Sequence, residues 1–154
     1  MTRTLVAGAL ALLMCGCSSW FTRERPLVAA ELGAYPSCGT AEQAPQPQIH
    51  LLQSFDDVRA WQLSRGLPQS ETDLTLEGPF VLVELGAPTE SANSFIVSHD
   101  AIVRGGELRL EATFFKTTGD ATVDPCVLLA LPPQRYDRIE LYDQEGALRA
   151  RTET

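Results

Sequence analysis

The sequence predicts a mainly β domain, an antiparallel sandwich or partly open barrel with one short packed α-helix. Three observations carry this. Leu108, Leu110, Ala112 and Phe114 alternate with Arg109, Glu111 and Thr113, the period of a half-buried strand. Stretch 80–85 (Phe-Val-Leu-Val-Glu-Leu) is apolar on both faces, as a covered central strand is. Further short apolar runs recur with turn residues between them, at Gly105-Gly106, Pro132-Pro133 and 143–146.

Taken in order, residues 27–33 hold either a first strand or one helical turn. Tyr35-Pro36-Ser37-Cys38-Gly39 is turn material. Residues 44–48 are extended and proline-rich, and 49–53 read as a short strand. Ser54 has the chemistry of an N-cap, with Asp57 three residues on to complete a capping box. The helix it opens spans 55–64 and ends before Gly66 and Pro68. Val58 and Trp61 share a face of it, and Trp61 is the expected anchor. A helix this short does not stand alone in water and must pack on a sheet. The strand opening at Phe95-Ile96-Val97 continues to Val103 with a break near His99-Asp100. Residues 108–114 follow the Gly105-Gly106 hairpin turn. Residues 116–124 are a polar loop, 126–131 an apolar strand, 139–142 another strand and 147–151 a final edge strand. Strands at this spacing, with one helix, give the sandwich or barrel.

The amino terminus has a different logic. Arg3 precedes an apolar run, 5–14, which leads into Cys15-Gly16-Cys17-Ser18-Ser19. A run this length falls short of the roughly 20 residues that span a bilayer as a helix. It has the size of a secretory signal core. Small residues before a cysteine and a polar stretch after it resemble the bacterial lipobox, although Met14 stands where Leu is usual. That resemblance implies cleavage after Gly16, acylation of Cys17 and anchoring to a membrane through the acyl chains. Two or more chains anchor stably where one binds marginally. The domain plan is a signal peptide at 1–16, a lipidated tether at 17–26 and a single β-rich domain at 27–154. Ser18 stands where Asp would mark inner-membrane retention in enteric bacteria, so the resemblance places the protein on the outer membrane facing the periplasm.

Charge and cysteine count narrow the function. The chain carries 20 acidic and 12 basic residues, a net charge of −8, and loss of 1–16 removes Arg3 as well. Such a domain repels nucleic-acid phosphates, which argues against nucleic-acid binding. With Cys15 removed and Cys17 acylated, Cys38 and Cys126 remain. An oxidising compartment and a count of two point to one disulfide. It would close a loop of nearly the whole domain, worth roughly 4–5 kcal/mol in the chain-entropy model. The two histidines, His50 and His99, show no metal-ligand spacing, and no cofactor motif is present. No catalytic motif stands out. Asp56-Asp57 suit a helix start, and His99-Asp100 reads as a strand-end turn. The enzymatic alternative is a hydrolase pairing His99 with a distant serine.

One segment attracts a recognition role: 85–95, Leu-Gly-Ala-Pro-Thr-Glu-Ser-Ala-Asn-Ser-Phe. It joins two hydrophobic strands and is longer than a tight hairpin needs. Loops on a rigid β framework are where recognition surfaces sit. Pro88, Thr89, Glu90, Ser91, Asn93 and Phe95 are its candidate partner-binding residues. Exposed edge pairing through the last strand is a second route.

Around this loop the chain resembles the PrcB-type protease-complex subunits, a family of bacterial lipoproteins and secreted proteins. The shared order is an apolar strand ending in Gly86, then Pro88-Thr89, an aliphatic strand from Phe95, the Gly105-Gly106 hairpin, Thr117-Thr118, Pro125-Cys126, Leu131-Pro132 and 139–142. Phe55, Val58 and Trp61 upstream match the family's helix. Residues 90–94 replace the family's Gly-Gly, and Phe95 stands where Tyr would. The resemblance implies a non-enzymatic, lipid-anchored periplasmic domain that binds and stabilises an exported protease. A thinner likeness, through Pro88-Thr89 alone, is to chagasin-type protease inhibitors on an immunoglobulin-like sandwich. A structural envelope lipoprotein without a protease partner is the remaining alternative.

Overall fold

Among the described residues, ten strands and one helix form two packed sheets with the helix laid on the outside of the second. The computed structural model describes residues 24–35, 37–39, 44–68, 78–118 and 125–154. Cys17, the signal segment, the tether up to 23 and the polar loop from 119 to 124 lie outside the described residues. In chain order the elements are β1 (Arg25–Val28), β2 (Ala30–Tyr35), β3 (Gln48–Leu52), α1 (Phe55–Ser64), β4 (Phe80–Glu84), β5 (Ser94–Val97), β6 (Asp100–Arg104), β7 (Glu107–Phe115), β8 (Cys126–Ala130), β9 (Arg138–Tyr142) and β10 (Leu148–Glu153). The first sheet runs β1-β6-β7-β9-β10, with β5 pairing β7 as well, and the second runs β2-β8-β4-β3. The sheets face each other across one core and leave free edges, so the architecture is a sandwich.

The stretch 27–33 resolves into parts of two strands in different sheets. Ala29 lies between them, and its N–H donates to the His99 carbonyl at 2.9 Å. Thus β1 pairs β6 while β2 pairs β8. Strand β1 opens at Arg25, inside the stretch read as tether. Pro26 is tolerated there because β1 is an edge, where a missing N–H donor costs little. Ser98 and His99 form the break between β5 and β6, and both strands pair with β7. All pairings are antiparallel except β7 with β9. That parallel pair follows from connectivity: the chain leaves β7, forms β8 in the opposite sheet, and returns.

Two apolar layers result. Between the sheets lie Val81, Val83, Leu129, Leu108, Leu110, Ile139 and Leu141. Between the second sheet and α1 lie Phe80, Leu82, Leu128, Val58, Cys38 and Cys126. Strand β4 therefore supplies alternate side chains to both layers, which accounts for its uninterrupted apolar character.

The helix starts as its sequence dictates. Ser54 Oγ accepts from the Asp57 N–H at 3.2 Å, and Asp57 Oδ2 accepts from the Ser54 N–H at 2.9 Å. This reciprocal pair satisfies two donors that helix ends leave open. The buried face of α1 carries Val58 and Gln62, while Trp61 is only partly buried. Trp61 meets the Tyr35 ring edge-on at 5.9 Å, and Gln62 Nε2 donates to Tyr35 Oη at 2.8 Å. A buried amide with a phenol partner thus shares the anchoring expected of Trp61.

Cys38 and Cys126 are brought together as a disulfide pair, with Cα atoms 5.6 Å apart across a sequence separation of 88. That distance is in the range a disulfide spans. The link fastens the segment after β2 to the first residue of β8.

Thiol labelling of the folded, oxidised protein should modify neither Cys38 nor Cys126; labelling of both by mass spectrometry would remove the link. Replacing both by alanine should cost about 2–5 kcal/mol in denaturant unfolding. Leu82→Ala, at a fully buried position under α1, should cost about 2–5 kcal/mol by the same measurement.

Candidate functional site

The loop after β4 is held at both ends and encloses one wall of a groove. At its start, Gly86 adopts φ +78°, and a Cβ there would meet the carbonyl oxygens of Gln46 at 2.6 Å and Ala44 at 2.7 Å. Only glycine permits this approach of two backbones. The next N–H, of Ala87, donates to the Ala44 carbonyl at 2.7 Å. The proline-rich segment is thereby fixed against the loop.

The tip closes on itself. Thr89 N–H donates to the Ala92 carbonyl at 2.8 Å, and Thr89 Oγ1 accepts from Ala92 N–H at 3.0 Å. Lys116 Nζ donates to the Glu90 carbonyl at 2.9 Å. At the far end, Asn93 is buried, and its Oδ1 accepts from the N–H of Thr117 at 2.7 Å and from its hydroxyl at 3.1 Å. Phe95 is a core residue stacked on Phe114 at 6.0 Å. The six candidates therefore divide. Thr89 and Ser91 line clefts, Pro88 is half-buried, and Glu90 is exposed. Asn93 and Phe95 hold the loop from behind.

The cleft beside Thr89 and Ala92 has a volume of about 420 Å³ and is bounded opposite by Pro45, Pro47, Phe114 and Arg149. A second cleft of about 650 Å³ shares Gln46, Pro47, Leu148 and Arg149 with it and extends to His50 and Arg151 between β3 and β10. Both strands are sheet edges. The two clefts make one groove at the seam where the sheets meet.

Arg149 sits where they join. The β9–β10 register shifts between Leu148 and Ala150, a bulge that leaves Arg149 without an opposing residue. Its guanidinium lies over the Phe114 ring at 5.1 Å, and Nη1 donates to Asp143 Oδ2 at 3.3 Å. Asp143 is buried and also accepts from the N–H groups of Ala147 at 2.7 Å and Glu145 at 3.1 Å. The Ala147 N–H is the main reason its carboxyl titrates below the ordinary 3.8; desolvation opposes this and Arg149 reinforces it. Next to it, the Gln144 amide accepts from Phe114 N–H at 3.0 Å and donates to its carbonyl at 3.3 Å. A side chain thus continues the ladder past the end of β9.

The other two basic side chains of the groove are backed in the same way. Arg151 Nε is 3.0 Å from Glu140, which is 4 % exposed. The Tyr142 hydroxyl, donating at 2.6 Å, is the main cause that lowers the Glu140 pKa. His50 Nε2 lies 3.7 Å from Glu84, also 4 % exposed, and Arg65 Nη2 bonds the same oxygen at 3.0 Å. Burial pushes the Glu84 pKa up, but the neighbouring His50 and the Arg65 guanidinium outweigh it and leave it lowered.

His99, the base considered from sequence, is exposed at the β5–β6 break and contacts Glu31 at 3.3 Å. Among the described residues no serine hydroxyl is bonded to either histidine, and no group of three or more His, Cys, Asp or Glu is placed to hold a metal. No described helix is long and apolar enough to cross a membrane. Sequence reasoning missed Arg149, because a bulge is invisible in a strand that otherwise alternates, and it missed the clustering of Pro45 and Pro47 with the 85–93 loop. Only Gly86 signalled that contact.

No family model, curated protein or solved structure matches the chain.

Asn93→Ala should cost about 1–3 kcal/mol, because it removes the acceptor for two Thr117 donors; hydrogen exchange at Thr117 should accelerate. Asp143 has a lowered folded pKa, so its stabilisation is complete above the unfolded value of 3.8 and lost as pH falls through the lower folded value. Asp143→Asn should melt below wild type at pH 7, and the gap should narrow as pH drops below 3.8.

Proposed function

We propose that this chain is a non-enzymatic, lipid-anchored domain of the bacterial cell envelope that binds another protein through the groove between the 85–93 loop and the β3–β10 seam. The groove is the observation that carries this reading. Its walls are pre-formed: one is fastened through Gly86 and Asn93, the other through the Asp143–Arg149 pair. A partner would meet surfaces already ordered, which lowers the entropy cost of binding. The edge strands alongside, β3 and β10, add backbone that no further described strand pairs, the material of strand addition.

The amino-terminal sequence supports the anchor. Cys17 stands at the position that a lipobox acylates, after a run too short to span a bilayer. The order of motifs shared with PrcB-type subunits supports an exported protease as the partner. On this reading the anchor holds the domain on the outer membrane, facing the periplasm, and the groove does the capture.

The test is crosslinking in the periplasm of a Gram-negative cell expressing the full chain with a carboxy-terminal tag. Ala92→Trp, which fills the groove from its loop wall, should reduce recovery of the wild-type partner about tenfold, equivalent to ~1.4 kcal/mol. Cys17→Ser should move the protein from the membrane to the soluble fraction. Recovery of the same proteins by wild type and Ala92→Trp would leave a structural lipoprotein instead, and recovery of a protease by wild type alone would support the family-implied role.

A further inference from the structure

The groove is the exception to the electrostatics of this chain. The molecule carries 20 acidic against 12 basic residues. Yet, among the described residues, the two joined clefts are lined by Arg149, Arg151 and His50 and by no aspartate or glutamate. The counter-charges stand behind the lining, on the buried Asp143, Glu140 and Glu84. An acid placed behind an arginine fixes the guanidinium and leaves its outer donors available. Arg149 uses Nη1 on Asp143 and rests its face on Phe114. Its side chain is 39 % exposed. A guanidinium prefers a planar carboxylate, which accepts from two of its donors at once.

The neighbouring backbone indicates the shape of the ligand. Thr154 N–H donates to the Asp137 carbonyl at 3.2 Å, toward β9. Alternation along an antiparallel ladder then turns the N–H and C=O groups of Arg151 and Glu153 away from β9, to the free edge. The second cleft runs along this edge from Leu148 to Arg151, so it suits a chain lying extended beside β10.

From these observations we propose that the groove takes an extended peptide segment of a partner protein, which pairs with the β10 edge and places an aspartate or glutamate side chain on Arg149. This rests on the protein-binding reading and adds the chemistry of the segment recognised. The bulge at Arg149 is the selecting device: it breaks the alternation of β10 and turns one cation out of the ladder and over the cleft.

The experiment uses the full chain in detergent and three fluorescein-labelled pools of eight-residue peptides, blocked at both ends, with Glu, Gln or Lys fixed at one central position. By anisotropy the Glu pool should bind about tenfold or more tighter than the Gln pool, the effect of one charge-assisted hydrogen bond. The Lys pool should be weakest. Arg149→Gln should abolish the Glu-over-Gln preference, and Arg149→Lys, which keeps the charge without the fork, should retain part of it. N-methylation of alternate peptide amides should weaken the Glu pool in one of the two phases. Melting temperatures of both variants check that the fold is retained.

Equal binding of the Glu and Gln pools, or no binding of any pool, overturns the proposal. So does a preference that survives Arg149→Gln, or preferential capture of anionic phospholipid vesicles over the peptides. Partner recovery in cells that depends on Ala92 but not on Arg149 would also overturn it, while leaving the protein-binding reading intact.

Discussion

The double burial of β4 is the constraint on which the rest of this structure depends. Phe80 and Leu82 face the helix layer, while Val81 and Val83 face the core between the sheets, all four without meaningful exposure. A strand covered on both faces needs a layer on each side, and α1 provides the second one. That is why a ten-residue helix, marginal by itself, is present at all. It also explains the charged cluster at the end of β4. Glu84 follows the same alternation as Phe80 and Leu82 and is carried into the helix layer, where an isolated carboxylate would be costly. Arg65, the C-cap residue of α1, and His50 on β3 meet it there. Such a pair adds little net stability, but losing one partner costs about 3–5 kcal/mol. It therefore fixes where α1 ends relative to the sheet more than it strengthens the fold.

The same device recurs toward the groove. Three buried carboxylates are each matched to a more exposed basic group, and the acids are the deeper members in every case. In a domain of strongly negative charge, this arrangement gathers basic side chains at one seam. The acidic excess remains on the general surface, and the seam between β3 and β10 is left with the opposite character. The bulge in β10 completes the arrangement, because a regular strand would have placed residue 149 in the alternation and away from Phe114.

Much of the fold was legible because it rests on local chemistry. The capping box at Ser54 and Asp57, the alternation of 108–114 and the glycine pair at 105–106 each act within a few residues, and each appears where expected. The sandwich follows from the strand count and from the covered character of β4. Less was legible where a single run had to change partners. Nothing in residues 27–33 announces that the chain leaves one sheet for the other at Ala29, since that depends on the break at His99 seventy residues later. The parallel pairing of β7 with β9 is likewise a property of connectivity. At the site, the length of the 85–95 segment indicated a loop worth attention, but not which side chains face outward. Asn93 is polar and reads as a contact residue, yet its hydrogen bonds are to Thr117, on the segment after β7. The opposite wall, with Arg149 and Phe114, comes from residues that read as an ordinary edge strand and an ordinary core strand.

A loop built this way is a wall and not a lid. Each of its ends is tied to a different part of the framework: Ala87 to Ala44, and Asn93 to Thr117 beyond the end of β7. Its tip is closed by Thr89 and Ala92. Moving it outward would break several backbone hydrogen bonds at once, with no compensating contact among the described residues. Residues 90–94 contain no glycine, and Gly86 is spent at the base on close approach to Gln46. The consequence is a groove wall whose shape is set in advance of any contact. On the protein-binding proposal, discrimination then has to come from what lines the groove, and the residue that the fold takes most trouble to place there is Arg149.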